Sequence, residues 1–305
     1  MDLRQIAHFV AVYEEGSFSQ AARRENCTQP GLSVQIRNLE EKLAVSLFDR
    51  TTRGVEPTVA GRRFYDHCVA ILNRVETARQ QMGELSGDMS GTIRLGTPPS
   101  ISRGALPATL SRFTRDFPFV ELRLSEGYGG TLTEWVASGE TDIGVVTLPL
   151  DQEGISQQLL SNQQLVLVSA PDCGRTPLKP VRLADLPPLS LVLSSSRHAM
   201  RSVVDSYLRK VGVTPAAVMD SDGLNTTLEF VRRSGWSTIT PVTSIIDELD
   251  PTRLCINPIV RPQVDFDYFL IHRSRAPLST AAERFVAYLI EELDAIDRRW
   301  RQTVA

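Results

Sequence analysis

Residues 17–61 read SFSQAARRENCTQPGLSVQIRNLEEKLAVSLFDRTTRGVEPTVAG, and their caps, apolar stripes and breaks spell a helix, a turn, a second helix and a short basic hairpin. Ser17, with Gln20 three residues on, has the capping-box spacing that opens a helix, and Ala21 and Ala22 are small enough for another helix to pack closely on them. Thr28 opens the next helix, with Pro30 in its first turn, where a missing N–H costs nothing. Upstream, Leu3, Ile6, Phe9, Val10 and Tyr13 recur at helical spacing until Gly16 ends the run.

In the third helix Leu32, Ile36, Leu39 and Leu43 form one narrow stripe. Pro30, Val34, Arg37 and Asn38 fall on the far side, with Gln29 and Ser33 flanking them. One face is core, and the other is free to enter the major groove of B-DNA. There a Gln pairs with an adenine edge, a Ser with a phosphate or a base, and a Val meets a thymine methyl. Thr51, Thr52, Arg53 and Gly54 form a turn beside Arg50, which suits a wing laid along a phosphate backbone. The expected DNA contacts are therefore Gln29, Pro30, Ser33, Val34, Arg37, Arg50 and Arg53.

QPGLS at 29–33, QIRNLEEKL at 35–43, LFDRT at 47–51 and TVAG at 58–61 together resemble the winged helix-turn-helix of LysR-type transcriptional regulators. The resemblance extends over the chain, because total length, a helical connector after the wing and two later α/β repeats also match. Departures are local. Glu25 stands where that family has a buried Leu, Pro57 where a Leu precedes the Thr, and Val34 where Arg or another polar residue is frequent. Ala44 replaces a helix-ending Gly, and a different C-cap is expected there because the left-handed conformation is costly for a residue with a Cβ.

At 305 residues, 42% apolar and 23% charged, the chain has enough material for two or more cores. A net charge of −3 would argue against nucleic acid if taken alone, since phosphate neutralisation supplies most non-specific affinity. Residues 1–63 carry nine basic side chains against eight acidic ones, so DNA binding should rest on placed arginines and on dimerisation. No basic stretch followed by an apolar run opens the chain, and no run of 18 apolar residues occurs, which predicts a cytoplasmic protein with no membrane partner. Cys27, Cys68, Cys173 and Cys255 lack CxxC or HExxH companions, so neither a zinc site nor a disulfide frame is expected, and buried free thiols are. Some LysR relatives sense peroxide through a nearby cysteine pair, but Cys173 and Cys255 stand far apart in sequence.

After the head, Phe64, Val69, Ile71, Leu72, Val75, Met82 and Leu85 recur at helical spacing, which predicts a long amphipathic helix whose stripe pairs with a twin. SGDMSG at 86–91 then reads as a hinge. Beyond it TIRLGT (92–97), VELRLSEG (120–127), the end of WVASGETDIGVV (135–146), LVLVS (165–169), LSLVL (189–193) and DFDYFLIHR (265–273) read as strands alternating with helices, which implies parallel sheet in two lobes. The organisation expected is multidomain: an all-α winged helix-turn-helix DNA-binding domain at 1–60, a linker helix and hinge at 61–87, and a two-lobed α/β effector domain at 88–305. Lobe I takes 92–163 and 263–305, and lobe II takes 164–262. Such lobes resemble the periplasmic-binding-protein-like effector domain of LysR regulators.

A small ligand belongs between the lobes, since open α/β sheets bind at the carboxyl ends of strands. TPPSIS at 97–102 lies at such an end, where hydroxyls and free helix amides hold an anion well. The resemblance places an effector-contacting hydroxyl in this loop, with Ser100 the best positional match and Thr97 and Ser102 beside it. Tyr128, Thr131, Thr147, His198 and Thr226 are the further cleft candidates, and Arg103, Arg197 and Arg201 are available to pair a carboxylate. SGWSTITP at 234–241 resembles the family's Gly-rich turn before a Pro, with Trp236 departing from it. The expected partners are a double-stranded DNA operator, a small effector such as an organic acid or other small anion, a second copy as homodimer or homotetramer, and RNA polymerase, with no cofactor and no metal. An enzyme is the competing reading, but GxSxG, GxxxxGK and GxGxxG motifs are all absent and His67–Cys68 sits in the connector helix. A solute-binding transport component would need an export signal and would not carry a DNA-reading head.

Overall fold

A computed structural model of the chain describes residues 1–51, 54–84, 89–148, 152–274 and 278–304, which fall into two compact units, Met1–Gly87 and Asp88–Ala305. The first holds α1 (Leu3–Glu15), α2 (Phe18–Arg24), α3 (Gln29–Leu43), a hairpin of β1 (Phe48–Thr51) and β2 (Gly54–Pro57), and the long α4 (Val59–Glu84). The caps act as their spacing predicts. Ser17 Oγ accepts from Gln20 N–H at 3.4 Å and Thr28 Oγ1 from Gly31 N–H at 3.3 Å. Thr58, not expected as a cap, does the same for Gly61 N–H at 3.0 Å. Gly16 closes α1 in the left-handed conformation.

Phe9, Val12, Ala21, Leu32 and Leu39 are fully buried. The Phe9 ring lies 5.2 Å from Phe48 and 5.0 Å from Phe64, so hairpin and connector close on the same core as the three helices. Burial of each large side chain contributes roughly 1.5–3 kcal/mol. Ala44 departs from expectation, because it takes the left-handed conformation itself, φ 54° and ψ 32°. A penalty of about 1–2 kcal/mol is offset by the N–H groups of Ala44 and Val45, which reach the carbonyls of Glu41 and Glu40 at 3.3 and 3.2 Å. Of the expected connector stripe, the Met82 side chain and Leu85 lie outside the described residues, as do the first half of the hinge, 86–88, and the residues flanking the expected 87/88 boundary.

The second unit contains, in order, β3 (Gly91–Thr97), α5 (Pro99–Arg103), α6 (Leu106–Asp116), β4 (Val120–Glu126), α7 (Gly129–Ser138), β5 (Ile143–Val146), β6 (Ile155–Ser169), β7 (Ser190–Leu193), α8 (Ala199–Lys210), β8 (Ala217–Asp220), α9 (Leu224–Arg232), β9 (Ser237–Pro241), β10 (Cys255–Pro258), β11 (Asp265–Arg273) and α10 (Thr280–Val304). Its strands follow the order β4-β3-β5-β11-β6-β9-β7-β8, with β10 also on β6. β3 runs parallel to β4 and β5, and β7 to β8 and β9, whereas β6 and β11 run antiparallel to their neighbours.

The expected strand at 165–169 is the last third of β6, a 15-residue strand that serves both lobes. Residues 155–164 pair with β11, and 165–169 pair with β9 and β10. SGWSTITP opens with bends at Ser234 and Gly235, and its remainder, Ser237–Pro241, is a buried strand, β9. Its hydroxyls hide the apolar signal, but Ser169 and Ser237 satisfy each other at 2.7 Å inside the ladder. Near the end of α10 stands Trp300, 2% exposed, whose indole N–H donates to Gln164 Oε1 at 2.8 Å.

Candidate functional site

The DNA-reading face of α3 follows from which side is already spent on the core. Leu32, Ile36 and Leu39 are buried, Gln29, Pro30, Val34 and Arg37 are exposed, and Ser33 is half-buried. The hairpin is fixed to α3 by Glu40, whose Oε1 accepts from the N–H groups of Leu47 at 2.7 Å and Phe48 at 3.2 Å. The other end of that face is held by Gln5 on α1, which donates to Gln35 Oε1 at 3.2 Å and accepts from Lys42 at 3.3 Å. Arg24 is tied to Glu14 at 2.6 Å, whereas among the described residues Arg37 has no ion-pair partner. Arg53 and the side chain of Arg50 lie outside the described residues.

In the second unit a cleft of about 110 Å³ opens between the lobes. Four of the expected residues line it: Ser100, Tyr128, Thr147 and His198. Thr97 and Ser102 do not, because their hydroxyls bond each other at 2.8 Å beneath the loop. Thr131 is exposed on the outer side of α7, whose inner side carries Leu132 and Val136. Thr226 is exposed as well, and the neighbouring Thr227, on the buried face of α9 with Leu228 and Val231, takes its place in the cleft. Both misses are a single residue of helical phase, 100° of rotation.

The walls are largely apolar, with Leu132, Val145, Met200, Ile239 and Phe266 among them. The starts of α7, α8 and α9 all meet this space at Tyr128, His198 and Leu224, and none has a side-chain cap. Their first N–H groups therefore carry partial positive charge toward it. Two buried polar atoms there lack hydrogen-bond partners, Ser194 Oγ and His198 Nε2. His198 Nε2 lies 3.0 Å from Asp222 Oδ1, so the imidazole faces that carboxylate and Ser194 Oγ is the polar atom left for another group. Ser100 Oγ accepts from the buried Tyr268 hydroxyl at 2.7 Å.

None of the three arginines expected to clamp a carboxylate lines the cleft. Arg103 reaches Asn225 at 2.6 Å, Glu248 at 2.7 Å and the Ser244 carbonyl at 3.0 Å. Arg201 is spent on Asp205 at 3.0 Å, Asp220 at 2.7 Å and the Ser194 carbonyl at 3.0 Å. Arg197 meets Asp222 at 3.3 Å. Sequence reasoning missed Asp222, which stands between a strand end and a helix start, as His198 does.

Asp222 joins the lobes: the Tyr128 hydroxyl donates to its backbone carbonyl, and the Tyr128 and His198 rings are 3.8 Å apart. Burial alone would raise its carboxyl pKa, yet the Ser195 N–H at 2.8 Å, the Ser195 hydroxyl at 3.1 Å and His198 outweigh burial and hold it at about 2. Its folded pKa lies below the unfolded one, so its contribution to stability is present above about pH 4 and lost as pH falls toward 2. The melting midpoint of this unit should therefore drop more steeply between pH 4 and 2 in the native chain than in Asp222→Asn. Parallel pH profiles for the two proteins, measured calorimetrically, would remove this role for the carboxylate.

A model for the bacterial regulatory helix-turn-helix protein, lysR family, matches residues 3–62, and a model for the LysR substrate binding domain matches residues 86–294. The chain is 27% identical over 308 residues to the nitrogen assimilation regulatory protein nac of Escherichia coli, covering 100% of each. It is 26% identical over 299 residues to the transcriptional dual regulator GltC of Bacillus subtilis, covering 98% of this chain and 99% of that protein. Full-length OxyR from Pseudomonas aeruginosa superposes with a TM-score of 0.73 at 19% identity, over 96% of this chain and 94% of that one, a likeness of fold. With both of its units matched by the family's own two modules, the chain belongs to the LysR family of transcriptional regulators.

Proposed function

We propose that two or four copies of this chain bind an interrupted inverted repeat in double-stranded DNA, each reading one half-site with Gln29, Pro30, Ser33, Val34 and Arg37. Arg50 and Arg53 of the wing lie along the phosphates, α4 pairs with its twin, and the assembly acts on RNA polymerase in the cytoplasm. The chain's work is binding rather than catalysis. A small molecule in the interlobe cleft shifts the balance between lobe arrangements and so the spacing of the heads, which requires only that it bind one arrangement more tightly.

The effector class proposed is a small molecule with an apolar body and one anionic group. The observation that carries it is the meeting of three uncapped helix starts at a cleft with an unpartnered buried hydroxyl, Ser194 Oγ. A carboxylate there accepts from the Ser194 hydroxyl and from the helix amides, while apolar walls cover the rest. The volume of 110 Å³ is below the roughly 150 Å³ that takes benzene, so the body is short or the lobes part to admit it.

The test is thermal unfolding of the full chain with small aliphatic and aromatic carboxylates, each beside its neutral amide. At a hundredfold excess over Kd a ligand adds about 2.7 kcal/mol, worth roughly 5–10 °C for a unit of this size. An amide that stabilises as well as its acid overturns the anionic reading. Ser100→Ala should keep operator affinity and lose most of the response to the same acid, and a normal response would move the ligand away from this loop.

A further inference from the structure

The last turn of α1 gathers three other elements of the head. Glu14 Oε1 accepts from the Tyr65 hydroxyl of α4 at 2.7 Å, and Glu14 Oε2 lies 2.6 Å from the guanidinium of Arg24, the last residue of α2. Arg24 also donates to Glu15 Oε1 at 3.4 Å. Just beyond, the Gly16 carbonyl accepts from the Val55 N–H of β2 at 3.3 Å. Residues 14–16 thus hold the first helix of the helix-turn-helix pair, the hairpin and the connector.

These contacts differ in kind. The Phe9 ring lies 5.0 Å from Phe64, and Tyr13 stacks on Tyr65 at 4.0 Å with 13° between the rings. Apolar contact of this sort is non-directional, so it presses α4 on α1 and tolerates rotation. The hydrogen bond from Tyr65 weakens steeply away from its axis, so it selects one rotation of α4 among those that the stacked rings allow. Tyr65 is 7% exposed, and burial together with the Glu14 carboxylate raises the phenol pKa well above its ordinary value, so the hydroxyl stays a donor. With one oxygen on Tyr65 and the other on Arg24, the carboxylate cannot turn to water without releasing α4 and α2 together.

We propose that Tyr65, Glu14 and Arg24 form a positioning chain that fixes the angle between the reading helix α3 and the connector α4, and so the half-site spacing that a pair of chains accepts. The proposal rests on α4 being the helix that pairs with its twin. α3 follows α2 through a tight turn, in which the Cys27 N–H donates to the Ala22 carbonyl at 2.9 Å, so an α2 held to α1 carries α3 with it. Each base pair added between half-sites turns one of them by roughly 34° and moves it about 3.4 Å. A head locked to α4 refuses such a change, whereas a head free to swing follows it. None of the three residues belongs to α3, and they act through the direction in which that helix is presented.

The experiment uses a duplex selected from random sequence by the native full chain, versions with one or two base pairs added or removed between its half-sites, and a duplex with a single half-site. The native protein should lose roughly tenfold or more on each altered spacing, since at least one good base contact is broken. Tyr65→Phe keeps the ring on Tyr13 and removes only the hydroxyl. It should bind the single half-site within about twofold of native and lose about threefold or less on altered spacings, because the swing restores the contact. Arg24→Gln, which opens the other arm at an exposed position, should behave alike, and it takes the place of Tyr65→Phe if that variant melts below the assay temperature. A hydroxyl of structural use alone would lower the melting midpoint and every affinity together. That outcome, or a native-sized spacing loss in the folded variants, overturns the proposal. A native chain indifferent to spacing overturns the inverted-repeat reading and the proposal with it.

Discussion

Arg37→Ala is expected to cut operator affinity by roughly 5- to 150-fold per half-site, because a well-placed bidentate contact is worth about 1–3 kcal/mol of discrimination. In a two-headed complex the loss falls on both half-sites and approaches the square of that factor. The argument rests on what α3 leaves unused: Leu32, Ile36 and Leu39 hold the helix to its core, while Arg37 projects from the opposite face with no described ion-pair partner. Gln29→Ala should behave alike at its own base pair. Neither change alters the melting midpoint of the head, since both side chains are exposed. A duplex selected from random sequence with the native protein, then titrated at several salt concentrations, separates the outcomes. Loss confined to the selected duplex supports base reading, whereas equal loss on all sequences with a salt slope reduced by about one marks a phosphate contact instead. Equal affinity of native and Arg37→Ala protein for the selected duplex removes this face from the groove.

The head was legible because its signals are local. Ser17 and Thr28 cap within three residues, and one 3.6-residue stripe separates core from free face, so no distant contact was needed to assign either. Ala44 shows the limit: local energetics disfavour its conformation, but two backbone bonds to Glu40 and Glu41 override the preference. In the effector unit the strand-end rule found the cleft and four of its lining residues, while Thr131 and Thr226 failed by one step of helical phase that no cap announced. The three arginines failed for another reason: their carboxylates, Glu248, Asp205, Asp220 and Asp222, come from elements whose approach sequence spacing does not encode.

Gly104→Ala is expected to destabilise the effector unit by about 3 kcal/mol or more, at the upper end for overpacking, which lowers its midpoint by roughly 6–12 °C. A Cβ at this position would lie 1.8 Å from the Thr243 carbonyl oxygen and 2.8 Å from its carbon. The obstacle is backbone, and it is held from several sides. Thr243 is fully buried with its hydroxyl on Gln163 at 2.8 Å, and the next carbonyl, Ser244, accepts from Arg103 at 3.0 Å. Relief by moving α5 would instead break Arg103 from Glu248 and Asn225, the contacts that carry α5 across to the rest of the unit. Gly129→Ala is the matched control, since its Cβ would meet nothing within 4 Å at the first position of α7. That change should be neutral or stabilise by about 0.4–1 kcal/mol through the unfolded chain. Because the head is a separate compact unit, the Gly104 variant should retain its operator affinity below the lowered midpoint. A Gly104→Ala protein that melts within about 2 °C of the native chain, well under the shift expected for such a loss, would show that α5 and residues 242–244 do not approach as closely in solution as this geometry requires.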